Sequence, residues 1–293
     1  SRIFSMRWNI SPILKEGGYD MGIYLNPGNE GFAEALRSEI YVDKTGLIQH
    51  TNRYVSTEQK FLCVSRPRRF GESMALRMLA AYYSCGCDSK QMFTGLKIES
   101  IPSFAAHLNR YNVILLNMQH FLIRAKGQSL VEYLERVILQ EVRSTYGELF
   151  PEQETILAAA LEQIYAATGR KFIFLVDEWD CVMRERQESE DLQREYLDFL
   201  RNLLKDQPYV ALAYMTGILP VKKYGQHSAL NMFWEYSMTD QTIFEEYTGF
   251  TEDEVRQLCE KYQMDFAETG SWYDGYQFRK FKHVYNPRSV VAA

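Results

Sequence analysis

Three stretches hold side chains whose types and spacing suit phosphate chemistry: Ser65–Ser73, Asp177-Glu178 and Thr216. The first, Ser65-Arg-Pro-Arg-Arg-Phe-Gly-Glu-Ser73, lies between an apolar run, Phe61 to Val64, and a helical pattern. That pattern starts near Ser73 and carries Met74, Leu76, Met78, Leu79 and Tyr82. A strand, a tight loop and a helix start together make a phosphate cradle, because the helix opens with free N–H groups and partial positive charge. The loop approaches the pattern G-x-x-x-x-G-K-[ST], with Gly71 as second glycine and Ser73 as the hydroxyl residue. Arg66 stands where the first glycine belongs, and Glu72 stands where the lysine belongs.

The second stretch ends the apolar run Lys171–Val176 in Asp177-Glu178. A carboxylate at such a strand end can help hold Mg²⁺ together with the loop hydroxyl. The next acid can act as a general base toward water. Read alone, two acids after a strand can also simply open a solvated loop. Thr216 ends another apolar run, Val210–Thr216, and two readings stay open: contact with a terminal phosphate or the attacking water, or ordinary turn chemistry before Gly217. Lys222 and Lys223 are candidates for phosphate contact, with surface placement the default for lysine.

The elements that must position these residues are legible as a pattern. Strands are expected at Lys60–Val64, Arg110–Asn117, Lys171–Asp180 and Val210–Thr216, with a shorter one around Trp234–Met238. Helices are expected at Gly31–Ile40, from Gly46, from Ser73 to about Ser84, and at Ser129–Tyr146, Glu152–Ala167 and Asp191–Lys205. Asp43 and Thr45 can cap the helix from Gly46. Thr251 with Glu254 reads as a capping box for a further helix, and the pattern turns helical and polar after Thr239. Near-continuous apolar strands separated by helices imply an α/β fold with a mainly parallel sheet covered on both faces. Ligands of such sheets bind at the carboxyl ends of the strands, where all three stretches fall.

Composition narrows the class. A net charge of −5 argues against a dedicated nucleic-acid binder, and no apolar run reaches the roughly 18 residues of a membrane span. Five cysteines at scattered positions suggest free thiols in a reducing cytoplasm. Cys85-Gly-Cys87 is the single close pair, and with no second pair at ligand spacing it reads as a helix-terminal turn rather than a zinc site. Ser1–Asp20 reads as an upstream extension, with Met21 opening the regular pattern. An Asp43…Glu58-Gln-Lys60 spacing fits a nuclease pattern by chance, since it lies on the approach to the phosphate-loop strand.

Together these motifs resemble the bacterial AAA-ATPase-like family whose phosphate loop reads R-P-R-R-F-G-K-S. The matching segments are Tyr41-Val-Asp-Lys-Thr45, Ser65–Gly71, Val176-Asp-Glu-Trp-Asp180, Thr216-Gly-Ile218, Leu230-Asn231, Trp272-Tyr-Asp-Gly-Tyr276 and Val284-Tyr-Asn-Pro-Arg-Ser-Val290. An arginine at position 66 belongs to that family's pattern. The resemblance implies a P-loop NTPase core, a three-layer α/β/α sandwich over residues 21–242, with a helical lid over 243–293. It implies ATP and Mg²⁺ as ligands, Ser73 and Asp177 at the metal, and Glu178 as the catalytic acid. The nucleotide would lie against Arg66, Pro67, Arg68, Arg69, Phe70, Gly71, Glu72, Ser73, Met74 and Thr216. Members often carry a downstream PD-(D/E)xK nuclease-like domain, expected to be absent from a chain ending at Ala293. Contact with nucleic acid is expected only through that domain, and an oligomer is open.

Glu72 departs from the family, whose lysine there bridges the β- and γ-phosphates. At about 4 Å and an effective dielectric of about 20, one charge pair is worth roughly 4 kcal/mol, so exchanging attraction for repulsion swings binding by up to roughly 8 kcal/mol. Micromolar affinity is itself about 8 kcal/mol. Three readings follow: an ATP-binding protein whose hydrolysis is impaired or lost, a pseudo-ATPase serving as a regulatory or interaction module, and an ATPase that borrows Arg68 or Arg69. In the second, Glu72 is expected to pair with one of those arginines.

Overall fold

The computed structural model describes residues 22–65, 71–221, 229–237, 247, 249–263 and 284–285. A five-stranded parallel sheet is built from β1 (Phe61–Ser65), β2 (Asn112–Asn117), β3 (Phe172–Asp177), β4 (Val210–Gly217) and β5 (Trp234–Ser237). Their spatial order is β2-β3-β4-β1-β5, and every neighbouring pair is parallel. Each strand matches an expected apolar run. The order, which brings β1 between β4 and β5, depends on pairings between distant segments.

Side chains alternate across the sheet, so each strand feeds two cores. Phe61, Cys63, Ile114, Leu116, Phe172, Phe174 and Val176 join the core on one face. That face is covered by α5 (Met118–Arg124), α6 (Leu130–Tyr146), α7 (Leu157–Thr168), α8 (Cys181–Glu185) and α9 (Glu190–Leu204). Leu62, Val64, Val113, Leu115, Ile173 and Leu175 face the other core. There the cover is α1 (Glu30–Arg37), α2 (Gly46–Tyr54), α3 (Glu72–Tyr83) and α4 (Phe104–His107). A register shift beside Phe172 sends both Ala211 and Leu212 of β4 to this second face. The result is the expected three-layer α/β/α sandwich.

Local departures have local causes. α1 stops at Arg37, because Ile40 and Val42 instead pack on Phe250, Val255 and Cys259. α7 begins at Leu157 rather than Glu152. The Glu154 carboxylate accepts the Thr155 and Ile156 amides, and Arg143 donates to the carbonyls of Pro151 and Glu154, which holds that segment non-helical. Asp43 and Thr45 do less for α2 than expected. Asp43 accepts from Thr45 and from the Lys97 amide, while the Thr45 hydroxyl accepts the Ile98 amide. The pair therefore ties this strap to a distant turn. Cys85 and Cys87 follow α3 in a turn pinned by Asn109, whose amide donates to the carbonyls of Ala81 and Ser84. All five cysteines are free, and no group of three or more metal-binding side chains occurs among the described residues.

Beyond the sheet, Thr251 and Glu254 form the expected capping box at the start of α10 (Glu252–Tyr262). A short antiparallel pair, β6 (Phe250–Thr251) with β7 (Val284–Tyr285), accompanies it. α10 docks on the strap before α2. Lys44 is almost fully buried, and its ammonium bonds both Glu254 oxygens, at 2.8 and 2.6 Å. Tyr262 donates to the Glu39 carbonyl at 2.7 Å. No helix among the described residues is long and apolar enough to cross a membrane.

Candidate functional site

The carboxyl ends of β1, β3 and β4 meet where the sheet order places them side by side, and the candidate residues come together there. Gly71 supplies the entry to α3. Its φ of +85° is the left-handed conformation that glycine adopts without strain, and it serves as the helix N-cap. Glu72 and Ser73 then form the first turn of α3, with Met74 behind them. A carboxylate at a helix start is favoured by the helix dipole, which gives Glu72 a local structural rationale.

Asp177, the last residue of β3, is the hub. Its Oδ1 accepts the Thr216 hydroxyl at 2.8 Å, and its Oδ2 accepts the Ser73 hydroxyl at 2.9 Å. Asn117, ending β2, holds its amide 3.5 Å from Oδ2, too long for a strong bond, while its own oxygen caps α5 through the His120 amide. Asp177 is nearly buried, yet no cation forms an ion pair with it among the described residues. Its donors are all neutral. Thr216 is buried, and its hydroxyl donates to Asp177.

The residues after Asp177 have the opposite surroundings. Glu178 adopts φ +54°, and Arg184, from α8, forms an ion pair with its carboxylate. The same guanidinium donates through Nε to Asp180 at 3.2 Å. Asp180 is wholly buried, and its Oδ2 also accepts the amides of Ile218 at 3.0 Å and Leu219 at 2.7 Å. Burial works against the Arg184 charge, but Asp180 and Glu178 outweigh it and push its pKa up. Gly217 is required where this turn meets β4: a Cβ there would stand 2.7 Å from Trp179 Cδ1 and 2.8 Å from Asp180 Oδ1.

Arg66, Pro67, Arg68, Arg69 and Phe70 lie outside the described residues, as do Lys222 and Lys223 and the expected Glu72 pairing with Arg68 or Arg69. Asn117, Asp180 and Arg184 were not singled out by sequence as site residues. Asn117 carries a signal of its own, a polar residue closing an apolar strand. Asp180 and Arg184 stand four apart, the spacing of a helical ion pair.

A strand, glycine turn and helix start facing a carboxylate on a parallel sheet define a phosphate-loop α/β protein. Residues 28–226 match the family described as Predicted AAA-ATPase, and the chain belongs to that family. An uncharacterised protein of the vnfD 5′ region in Azotobacter chroococcum mcd 1 is 28% identical over 261 residues. The match covers 86% of this chain but 47% of that protein, so the chain spans about half the length of its curated relative. Among solved structures, the Aeropyrum pernix ORC2 protein in its ADPNP-ADP complexes overlaps 82% of this chain and 55% of its own. At 10% identity and a TM-score of 0.38, that likeness is too distant to bear on function.

Proposed function

We propose that this chain is an ATP-binding P-loop NTPase core whose hydrolysis is impaired or lost through Glu72. The observation that carries the reading is the Ser73–Asp177–Thr216 cluster, set where three parallel strands end beside a helix start.

The donor set suits Mg²⁺. A hydroxyl and a carboxylate oxygen 2.9 Å apart have the separation of adjacent ligands at about 2.0–2.1 Å in an octahedron. When bound, the ion would neutralise phosphate charge, which the neutral donors around Asp177 leave to it. Glu72 does not fit the triphosphate, because it places a carboxylate where β- and γ-oxygens need a cation. Glu178 is the candidate base, standing one residue past the metal corner, with Thr216 holding Asp177 in place from β4.

A second reading, an interaction module without nucleotide, is favoured by Glu72 itself, whose negative charge suits a helix start. The deciding experiment is a calorimetric titration of ATP-Mg²⁺ into the wild type and Glu72→Lys. Glu72→Lys is expected to bind at least roughly 100-fold tighter, about 2.7 kcal/mol. Silence in both proteins would sink the nucleotide reading in favour of the module. Equal affinity would remove the charge on Glu72 as the cause. Wild-type turnover that vanishes in Glu178→Gln would establish an active enzyme instead.

A further inference from the structure

Arg184 belongs to none of the phosphate-loop motifs, yet among the described residues it is the cation that bonds the acids at this end of the sheet. It is mostly buried, and one guanidinium serves two carboxylates. Nε goes to Asp180 and Nη2 to Glu178. Because the guanidinium is planar, two simultaneous partners fix its orientation as well as its place.

The anchor is Asp180 rather than Glu178. Asp180 is completely buried, and its Oδ2 gathers Arg184 together with the Ile218 and Leu219 amides. Glu178 is one-third exposed at its side chain and sits in a left-handed turn, a conformation unfavourable for a non-glycine residue. Leu219 extends the chain of bonds: its carbonyl accepts the Ser65 hydroxyl at 3.2 Å. Ser65 is the last residue of β1, at the root of the phosphate loop. Thus Glu178 is referenced through Arg184, Asp180 and Leu219 to the loop it would work beside.

The geometry points to Arg184 as the positioning residue of Glu178, holding that carboxylate in its left-handed turn and in register with Ser65 and the turn after Thr216. Naming Glu178 a base rests on the NTPase reading; its being held by Arg184 does not. A releasable latch would need a mobile cation, whereas this one is bolted to the most buried carboxylate of the site.

The test has two arms. In the chain without nucleotide, thermal melts compare Arg184→Met, Glu178→Gln, the double variant and Arg184→Lys. Glu178→Gln is expected to lower the melting temperature in the wild type and to have no further effect in Arg184→Met. Arg184→Lys should keep part of the coupling. Additive losses would overturn the proposal.

In Glu72→Lys, Arg184→Met is expected to lower kcat roughly 10–100-fold with KM little changed, the signature of a misplaced group. Arg184→Lys should recover part of it. Turnover equal to that of Glu72→Lys would overturn positioning, and turnover above it would overturn positioning and make Arg184 a brake. If Glu72→Lys shows no turnover, the NTPase reading fails, and the melts alone decide the role of Arg184.

Discussion

Asp177 and Asp180 lie three positions apart, on either side of one turn, and their surroundings are opposites. Asp177 is met by two hydroxyls and a distant amide, all neutral. Asp180 is met by a guanidinium and two backbone amides, all on one oxygen. Both carboxylates are buried, so both forfeit hydration, a loss that is severe for an unpaired charge. Asp180 is compensated from within the protein at Oδ2, by a cation and two amides, while its Oδ1 is buried without a hydrogen-bond partner. Asp177 is compensated only in part, which suits a residue whose counter-charge arrives with a ligand. The two acids thus differ in the charge of their partners as well as in depth of burial.

The largest expected effect breaks the structural half of the pair. Asp180→Ala strands Arg184 and two amides, and should cost roughly 3–5 kcal/mol of unfolding free energy in urea titration. A loss near zero would mean that Arg184 is adequately served by Glu178 alone. Asp177→Asn should be far milder, at most about 1 kcal/mol, since hydroxyl donors can reorient toward the remaining oxygen. It should nevertheless abolish any Mg²⁺ dependence of nucleotide binding by Glu72→Lys. A stability loss matching that of Asp180→Ala would erase the contrast.

The smallest effect tests the principle away from the site. Glu135, on α6, accepts the Leu157 amide at 3.0 Å, and burial raises its pKa, with a smaller push from Glu154. An acid whose folded pKa is raised weakens the fold once ionised. That penalty is absent below its ordinary value of 4.5 and grows as pH rises through the raised value. Glu135→Gln keeps the acceptor without the charge. It should raise the melting temperature slightly at pH 7 and give no gain at pH 4. A gain that persists in acid would place its cause in packing.

Much of the fold could be read because each strand is an apolar run with alternating residues that serve two cores. The candidate acids could be read because they end those runs. Strand order could not, since β1 pairs with β4 and β5, segments far along the chain. Arg184 is not legible for a related reason. α8 has five residues, too few for a periodic pattern, and half of Arg184's role lies in Asp180's bonds to the residues after β4. α7 starts later than its pattern suggests because Arg143 and Glu154 satisfy the backbone there through side chains, which propensity does not register. Asp43 and Thr45 looked like local caps because their other partners lie at Lys97 and Ile98.

The Lys44–Glu254 pair has a consequence for where this domain can be cut. A buckle closes a belt of 210 residues. The segment matching the family stops at residue 226, before β5 and before Glu254. A fragment trimmed to that boundary would lose the edge strand β5 and the Glu254 carboxylate that Lys44 bonds. Contacts with the sheet domain thus continue past the matched segment, through β5 and α10.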